Sequence, residues 1–173
     1  MAETLQWYAI TVQHQHERAV ESALGWKKLE TLVPLYRSRR RWSDRAKEIL
    51  LPLLSGYVLC RFKLAERVSV LNTPGVRSLV GFGGTPAAID ERQIADIRTV
   101  SESGLGLGPW PFLKAGDRVR VERGPLRGVE GTLLREPDRL RLIVTVELLQ
   151  RAMAVELDAD MIVPAHLFRA QAV

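Results

Sequence analysis

The residues best suited to chemistry lie together in one short segment. Residues 37–47 read RSRRRWSDRAK and carry six Arg or Lys side chains against one Asp. Six minus one is +5, which equals the formal net charge of the whole 173-residue chain. Arginine donates paired hydrogen bonds to phosphate, and an exposed indole such as that of Trp42 can stack on an unpaired base. The segment therefore favours an anionic partner, of which nucleic acid is the usual one.

Signals for catalysis or metal binding are weak by comparison. His14 and His16 lie two residues apart, but no Cys or acidic ligand cluster accompanies them, so no metal site is predicted. No Gly-rich loop ends in Lys-Ser or Lys-Thr, and the glycines at 81, 83 and 84 lack a dinucleotide fingerprint. No nucleophilic triad or well-placed carboxylate pair is recognisable. The sequence predicts a non-enzymatic protein without a cofactor.

Composition is that of an ordinary globular chain. Hydrophobic residues make up 46% of it and charged residues 26%. No apolar run approaches the ~20 residues of a membrane-spanning helix, and MAETLQWYAI lacks a secretory-signal pattern. The single cysteine, Cys60, lies in an apolar run, so we expect a buried thiol. A cytoplasmic location is the default expectation.

Glycine and proline divide the chain at residues 104–113, GLGLGPWPFL, which predicts a linker. Before it, the patterns predict the order β-α-β-β-α-β-α, with strands over 6–12, 31–36, 56–62 and 76–82 and helices over 15–25, 65–72 and from residue 90. Asp90 is the expected cap of the last helix, and Glu17, Arg18 and Glu21 are expected to face water on the first. After the linker, period-two alternation in 117–122, 140–146 and 153–157 predicts about five strands, the size of a small barrel.

Motifs along nearly the whole chain resemble the NusG family of transcription elongation factors. GDRVRVERGPLRGVEGTLLR (116–135) is similar to the KOW motif, and residues 144–164 are similar to the rest of a NusG carboxy-terminal domain. WYAITV (7–12), LPLLSGYVLCRF (51–62) and TPGVRSLVGFGGTPAAIDERQI (73–94) resemble the amino-terminal NGN domain. YRSRRRWSDRAKE (36–48) and ELLQR (147–151) resemble specialised paralogues of the UpxY type.

The resemblance implies an α+β fold with two domains. Residues 5–103 would form an NGN-type antiparallel sheet flanked by helices, 104–113 a linker, and 114–166 a small SH3-like KOW β-barrel. The implied function is binding to bacterial RNA polymerase and processive elongation or antitermination on selected operons. A general housekeeping NusG and a ribosome-associated KOW-type RNA-binding module are the alternatives. The amino-terminal match argues against the second, because ribosomal KOW proteins lack that domain.

The resemblance also implies a surface for the clamp helices of the polymerase, formed by Trp7, Tyr8, Leu54, Tyr57, Thr73 and Pro74. Adjacent strand residues face opposite sides, so Trp7 and Tyr8 are not expected at one place. The alternative is that Trp7, Tyr8 and Tyr57 fill the core. Many relatives carry Phe-Pro where this chain has Leu54-Ser55, and this difference alters the surface expected there.

Nucleic-acid contacts are expected at two places. His14 and Arg18 begin the first helix, a face that lies near the non-template DNA strand in specialised relatives; a plain polar helix start is the alternative. The basic segment would contact DNA near the transcription bubble or upstream duplex through Arg39, Arg40, Arg41, Trp42 and Lys47. Contact of that segment with the polymerase itself, a solvated loop, and a hairpin anchored by Trp42 remain open.

In the barrel, Leu148, Leu149 and Arg151 match the stretch by which the general factor meets a small-subunit ribosomal protein and the termination factor Rho. One of the two adjacent leucines should face outward if this stretch is a regular strand. A paralogue that opposes termination should recruit Rho poorly, so the ribosomal protein is the favoured partner. A barrel that refolds as helix and masks the first domain stays open, although the alternation in 117–157 argues against helix.

Overall fold

The computed structural model describes residues 3–111 and 117–161 of the chain. The chain divides into two compact units, Met1–Ile94 and Ala95–Val173. Antiparallel sheets dominate both units and a few helices accompany them, so the predicted α+β class is confirmed. The units divide earlier than the predicted domain end at residue 103. None of the helices in the described ranges is long and apolar enough to cross a membrane.

The first unit is built on one antiparallel sheet, with strand order β2-β5-β1-β6 and β9 also paired to β1. Two hairpins, β3–β4 and β7–β8, form separate two-stranded sheets outside this main sheet. In chain order its elements are β1 (Gln6–Val12), α1 (Glu17–Trp26), β2 (Glu30–Leu32), β3 (Leu35–Trp42), β4 (Arg45–Pro52), β5 (Tyr57–Phe62), α2 (Arg67–Leu71), β6 (Val76–Leu79), β7 (Gly81–Phe82), β8 (Thr85–Pro86) and β9 (Ala88–Ile89). The helix α3 (Glu91–Glu102) begins in this unit and continues into the second.

The core of the first unit lies between the main sheet and the helices α1 and α2. It contains alternate residues of β1 and β5 with the apolar stripe of α1, namely Tyr8, Ile10, Val12, Val20, Leu24, Val33, Val58, Cys60, Phe62 and Val70. Burial raises the pKa of the Cys60 thiol to about 12. Trp7 and Ala9 are buried as well, on the opposite face, because successive strand residues alternate. The burial of β1 on both faces explains the near-continuous apolar run in its sequence.

The basic segment forms most of a β-hairpin, the structure left open for it as an alternative, although no periodic pattern predicts its strands. β3 and β4 pair across a two-residue loop of Ser43 and Asp44, in which Ser43 has φ +38°. The predicted strand over 31–36 is interrupted at buried Pro34, so β2 ends at Leu32 and β3 begins at Leu35. The basic segment is therefore made of paired strands and not a loop, and its side chains are solvated as that alternative expected. Its strands are exposed on both faces, which is why no hydrophobic alternation marked them.

The second unit contains a five-stranded antiparallel sheet with order β10-β14-β13-β12-β11. Its strands are β10 (Leu107–Trp110), β11 (Asp117–Arg120), β12 (Glu130–Glu136), β13 (Arg139–Val146) and β14 (Arg151–Leu157). Close strand contact is possible at Gly131, where an added Cβ would lie 2.5 Å from the Ile143 carbonyl oxygen. Closure of this sheet into a barrel stays a prediction.

Part of the predicted linker belongs to this sheet. Residues 107–110 pair with β14, and the Glu156 amide donates to the Gly106 carbonyl over 2.8 Å. Pro109 is tolerated because β10 is the edge strand of this order. The linker prediction is wrong for this stretch, where Gly and Pro mark an edge strand instead.

Candidate functional site

Three turns meet at the carboxyl end of β1. The Val12 amide donates to the Gly56 carbonyl over 3.0 Å, and the Gln13 amide donates to the Gly75 carbonyl over 2.8 Å. These bonds bring together residues 13–16, 54–57 and 73–75, which we call the three-turn surface. It gathers Tyr57, Pro74 and His14 from three separate parts of the sequence.

The buried side chain of Glu17 is hydrogen-bonded to the turn over residues 54–57. Its side chain is only 3% exposed, and its Oε1 accepts a hydrogen bond from the Gly56 amide over 2.8 Å. The position favours a carboxylate, because Glu17 is the first residue of α1 and faces the positive end of the helix dipole. The prediction that Glu17 faces water is therefore wrong. Only its place in the first helical turn could have signalled this role.

The turn that Glu17 holds presents Tyr57 at the start of β5. The Tyr57 amide donates to the Leu54 carbonyl over 3.0 Å, and Gly56 has φ +86°. A positive φ at the third turn position is typical of a type II turn, for which glycine is suited. Leu54 is buried beneath the turn, while Tyr57 is half-buried.

Most residues predicted for the polymerase surface lie in the interior. Four of the six are buried, namely Trp7, Tyr8, Leu54 and Thr73. Tyr57 and Pro74 are the two that reach solvent. The four buried residues therefore lie beneath the surface. Trp7 and Tyr8 are both buried because the two faces of the sheet are covered at β1.

The buried members have specific internal partners. The Tyr8 ring lies 4.8 Å from the Phe62 ring, and its hydroxyl donates to Gln6 Oε1 over 3.1 Å. Burial, and to a lesser degree the charge of Glu3, raises the pKa of Tyr8. The Thr73 hydroxyl accepts from Lys27 Nζ over 2.9 Å. These contacts are those of core residues.

The histidines lie on the three-turn surface and are exposed. His16 Nδ1 lies 2.9 Å from the His14 carbonyl oxygen, and Gln15 between them has φ +62°. Arg18 is exposed and pairs with Glu21 over 3.4 Å. Among the described residues, no group of three His, Cys, Asp or Glu side chains could hold a metal ion. His14 thus lies on the three-turn surface with Pro74, and Arg18 is exposed on the adjoining first turn of α1.

The strand register divides the predicted nucleic-acid residues of the hairpin between two faces. Arg40 lies opposite Lys47, and Trp42 lies opposite Arg45, so these four side chains share one face. Arg39 and Arg41 point to the other side, because side chains alternate along a strand. The five predicted residues therefore do not form one site. The residue opposite Trp42 is Arg45, which the predicted site omitted and which the hairpin register alone reveals.

In the second unit, residues 147–149 form a 3-10 turn and not a regular strand. Leu149 is buried, whereas Leu148 is partly exposed and Arg151 is exposed. Gln150 has φ +49° and redirects the chain into β14. Leu148 and Arg151 are the two predicted residues that reach solvent here.

Known proteins are similar to this chain in sequence and fold. Residues 5–98 match the family model described as transcription termination factor nusG. The transcription termination/antitermination protein NusG of Rickettsia bellii (strain RML369-C) is 24% identical over 167 residues, which cover 90% of this chain and 87% of that one. A solved structure on domain interaction in Thermotoga maritima NusG has a TM-score of 0.58 at 21% identity, covering 91% of this chain and 96% of that chain.

Proposed function

Because this chain belongs to the NusG family, we propose that it binds RNA polymerase and promotes processive elongation and antitermination on selected operons. Members of the family are transcription factors and not enzymes, so its role lies in transcription elongation and antitermination. The observation that carries the proposal is the three-turn surface, which lies within the matched residues 5–98.

The polymerase would dock on the three-turn surface through its clamp helices. A helix docks well in a groove where an aromatic anchor and a few apolar groups meet it. Tyr57 supplies the aromatic ring and Pro74 an exposed apolar ring on the neighbouring turn. The bond from Gly56 to Glu17 holds the Tyr57 turn in place before the partner arrives. Such preorganisation lowers the ordering cost of binding.

Antitermination follows from binding one state of the polymerase better than another. A factor that contacts both sides of the cleft favours the closed, forward-translocated enzyme, since opening would break those contacts. His14, Arg18 and the basic hairpin would meet DNA near the transcription bubble. Their exposure and positive charge support this part of the proposal.

The second unit would recruit a further partner through Leu148 and Arg151. A small-subunit ribosomal protein is the favoured candidate and Rho the weaker one. Covalent connection to a polymerase-bound first unit raises the local concentration of the second unit. The UpxY-type assignment is part of this proposal and is supported by the exposed basic hairpin.

The test is binding of the full chain to core RNA polymerase by biolayer interferometry. Tyr57→Ala should weaken binding about 30-fold, the effect of a hot-spot residue of ~2 kcal/mol. Trp26→Ala is the matched control, because Trp26 is an aromatic residue at the other end of α1 and is 88% exposed. Absence of binding by the folded wild type would refute the proposed function. A loss with Trp26→Ala and none with Tyr57→Ala would refute the docking surface.

A further inference from the structure

The hairpin presents two cationic faces of different character. The Trp42 face consists of Arg40, Trp42, Arg45, Lys47 and Ile49, and the Arg39 face consists of Arg37, Arg39, Arg41, Glu48 and Leu50. Each face carries three cations. One carboxylate accompanies each, Glu48 on the Arg39 face and Asp44 in the loop beside the Trp42 face. Charge alone therefore does not distinguish them.

The cations of the Trp42 face are available to a partner. Arg40, Arg45 and Lys47 are exposed, and none of them forms an ion pair or hydrogen bond within the described residues. Three such cations side by side repel one another, and an anionic chain lying across them would relieve that repulsion.

The indole of Trp42 adds a flat apolar surface to these charges. Trp42 is 72% exposed, and no ring contact or hydrogen bond within the described ranges engages it. It lines a concavity of about 560 Å³ that lies entirely within the hairpin. The other lining residues are Arg40, Ser43, Asp44, Arg45, Lys47 and Ile49. This volume is within the range of small-ligand clefts, ~300–1,000 Å³.

We propose that the Trp42 face binds single-stranded nucleic acid, with one unpaired base stacked on Trp42 and the flanking phosphates paired with Arg40, Arg45 and Lys47. A free base offers a planar π-face to an aromatic side chain, and cations beside it follow the backbone. In a duplex the base faces are stacked on one another, so the indole gains no partner there. Duplex phosphates would also pair equally well with the Arg39 face.

This inference rests on the proposed nucleic-acid contact and not on polymerase binding. Stacking and phosphate pairing are available to DNA and RNA strands alike, so the shared chemistry is that of an unpaired strand. The experiment therefore uses the full chain alone, without polymerase. Fluorescence anisotropy would measure its affinity for a labelled 12-nucleotide DNA strand, an RNA strand of the same sequence, and the matching DNA duplex.

Two double variants with equal charge loss separate the faces. Arg40→Ala with Lys47→Ala should reduce single-strand affinity at least tenfold at low salt. It should also flatten the slope of log affinity against log salt by about 1.4, since each phosphate contact contributes ~0.7 for single strands. Arg39→Ala with Arg41→Ala should change the affinity less than threefold. Circular dichroism confirms that both variants stay folded.

Substitutions of Trp42 distinguish base stacking from electrostatic attraction to phosphates. Trp42→Ala should weaken single-strand binding roughly 5- to 100-fold at an unchanged salt slope, and Trp42→Phe should recover part of the loss. Equal losses from both double variants, an unaffected Trp42→Ala, or a duplex bound as tightly as a single strand would each overturn the inference. A wild type that binds polymerase but no single strand would overturn it while leaving the proposed function intact.

Discussion

Replacement of Glu17 by alanine tests whether the three-turn surface is held from within. The change leaves the Gly56 amide, now 2.8 Å from a carboxylate oxygen, without its acceptor. Hydrogen bonds to charged groups contribute ~1.5–3 kcal/mol, and a buried unsatisfied donor costs ~1–3 kcal/mol. We therefore expect Glu17→Ala to lower the free energy of unfolding of the first unit by about 2 kcal/mol. Glu17→Gln keeps an acceptor oxygen without the charge and should cost about half as much.

The assay follows Cys60, the single cysteine of the chain, which lies in the core of the first unit. Pulsed alkylation across a urea gradient then reports the unfolding of this unit without interference from the other. At a urea dependence of ~2 kcal/mol/M, Glu17→Ala should move the midpoint down by about 1 M. The matched control is Glu21→Ala, which removes a carboxylate of the same helix paired with Arg18 over 3.4 Å near the surface.

Glu21→Ala should change the free energy of unfolding by less than ~0.5 kcal/mol, because surface ion pairs contribute little. If Glu17→Ala shifts the midpoint no further than Glu21→Ala, the argument for an internal clamp fails. If Glu17→Gln is as damaging as Glu17→Ala, the charge at the helix start is the stabilising element and not the acceptor oxygen.

Three further predictions concern the Gly56 turn, the Cys60 thiol and the Trp42 face of the hairpin. Ser55→Pro should raise the free energy of unfolding by ~0.4–1 kcal/mol in thermal denaturation, because proline suits the second position of the Gly56 turn; a loss of stability would contradict that turn type. Burial raises the pKa of the Cys60 thiol to about 12, so the folded thiol stays neutral while the unfolded thiol ionises near pH 8.5. The neutral buried thiol therefore stabilises the folded state fully below about pH 8.5, and this part of the free energy of unfolding is lost as the pH rises to about 12. Urea titrations should show about 1.4 kcal/mol of this loss by pH 9.5 in the wild type and none of this component in Cys60→Ala; identical pH profiles would contradict it. Trp42→Ala should weaken binding to an elongation complex that contains nucleic acid but leave binding to core polymerase within about twofold, whereas equal losses would assign the hairpin to the polymerase itself.

Local signals in the sequence were sufficient for elements whose pattern arises from nearby residues. The alternation over 140–146 predicted β13, and Asp90 was correctly predicted as the α3 cap, since its Oδ1 accepts from the Arg92 amide over 2.7 Å. Glu17 is wrongly predicted to face water because its hydrogen-bond partner, the Gly56 amide, is distant in sequence and produces no periodic pattern. The hairpin stays only an alternative at the level of sequence, because strands that bury neither face show no alternation.

The position of Trp7 and Tyr8 shows a different limit. Resemblance identifies the segment but not which of its residues reach the surface, because that depends on what packs on each face of the sheet. Tyr8 packs in the core with residues of α1 and α2, and Trp7 is buried on the opposite face. The residues left to meet a partner are those of the turns at its end, which tertiary packing alone brings together.

The hairpin and the three-turn surface are joined by a short buried segment, and this connection bears on how the factor would work. Val33 and Pro34 enter the hairpin and Leu53 and Leu54 leave it, all four buried, with the Leu53 amide donating to the Pro34 carbonyl over 2.9 Å. The base of the hairpin is thus fixed to the turn that presents Tyr57. Docking of Tyr57 on the polymerase would therefore set the position of the Trp42 face without a flexible joint between them. Because the polymerase contact would supply most of the affinity, the hairpin needs only enough to select an unpaired strand at that position.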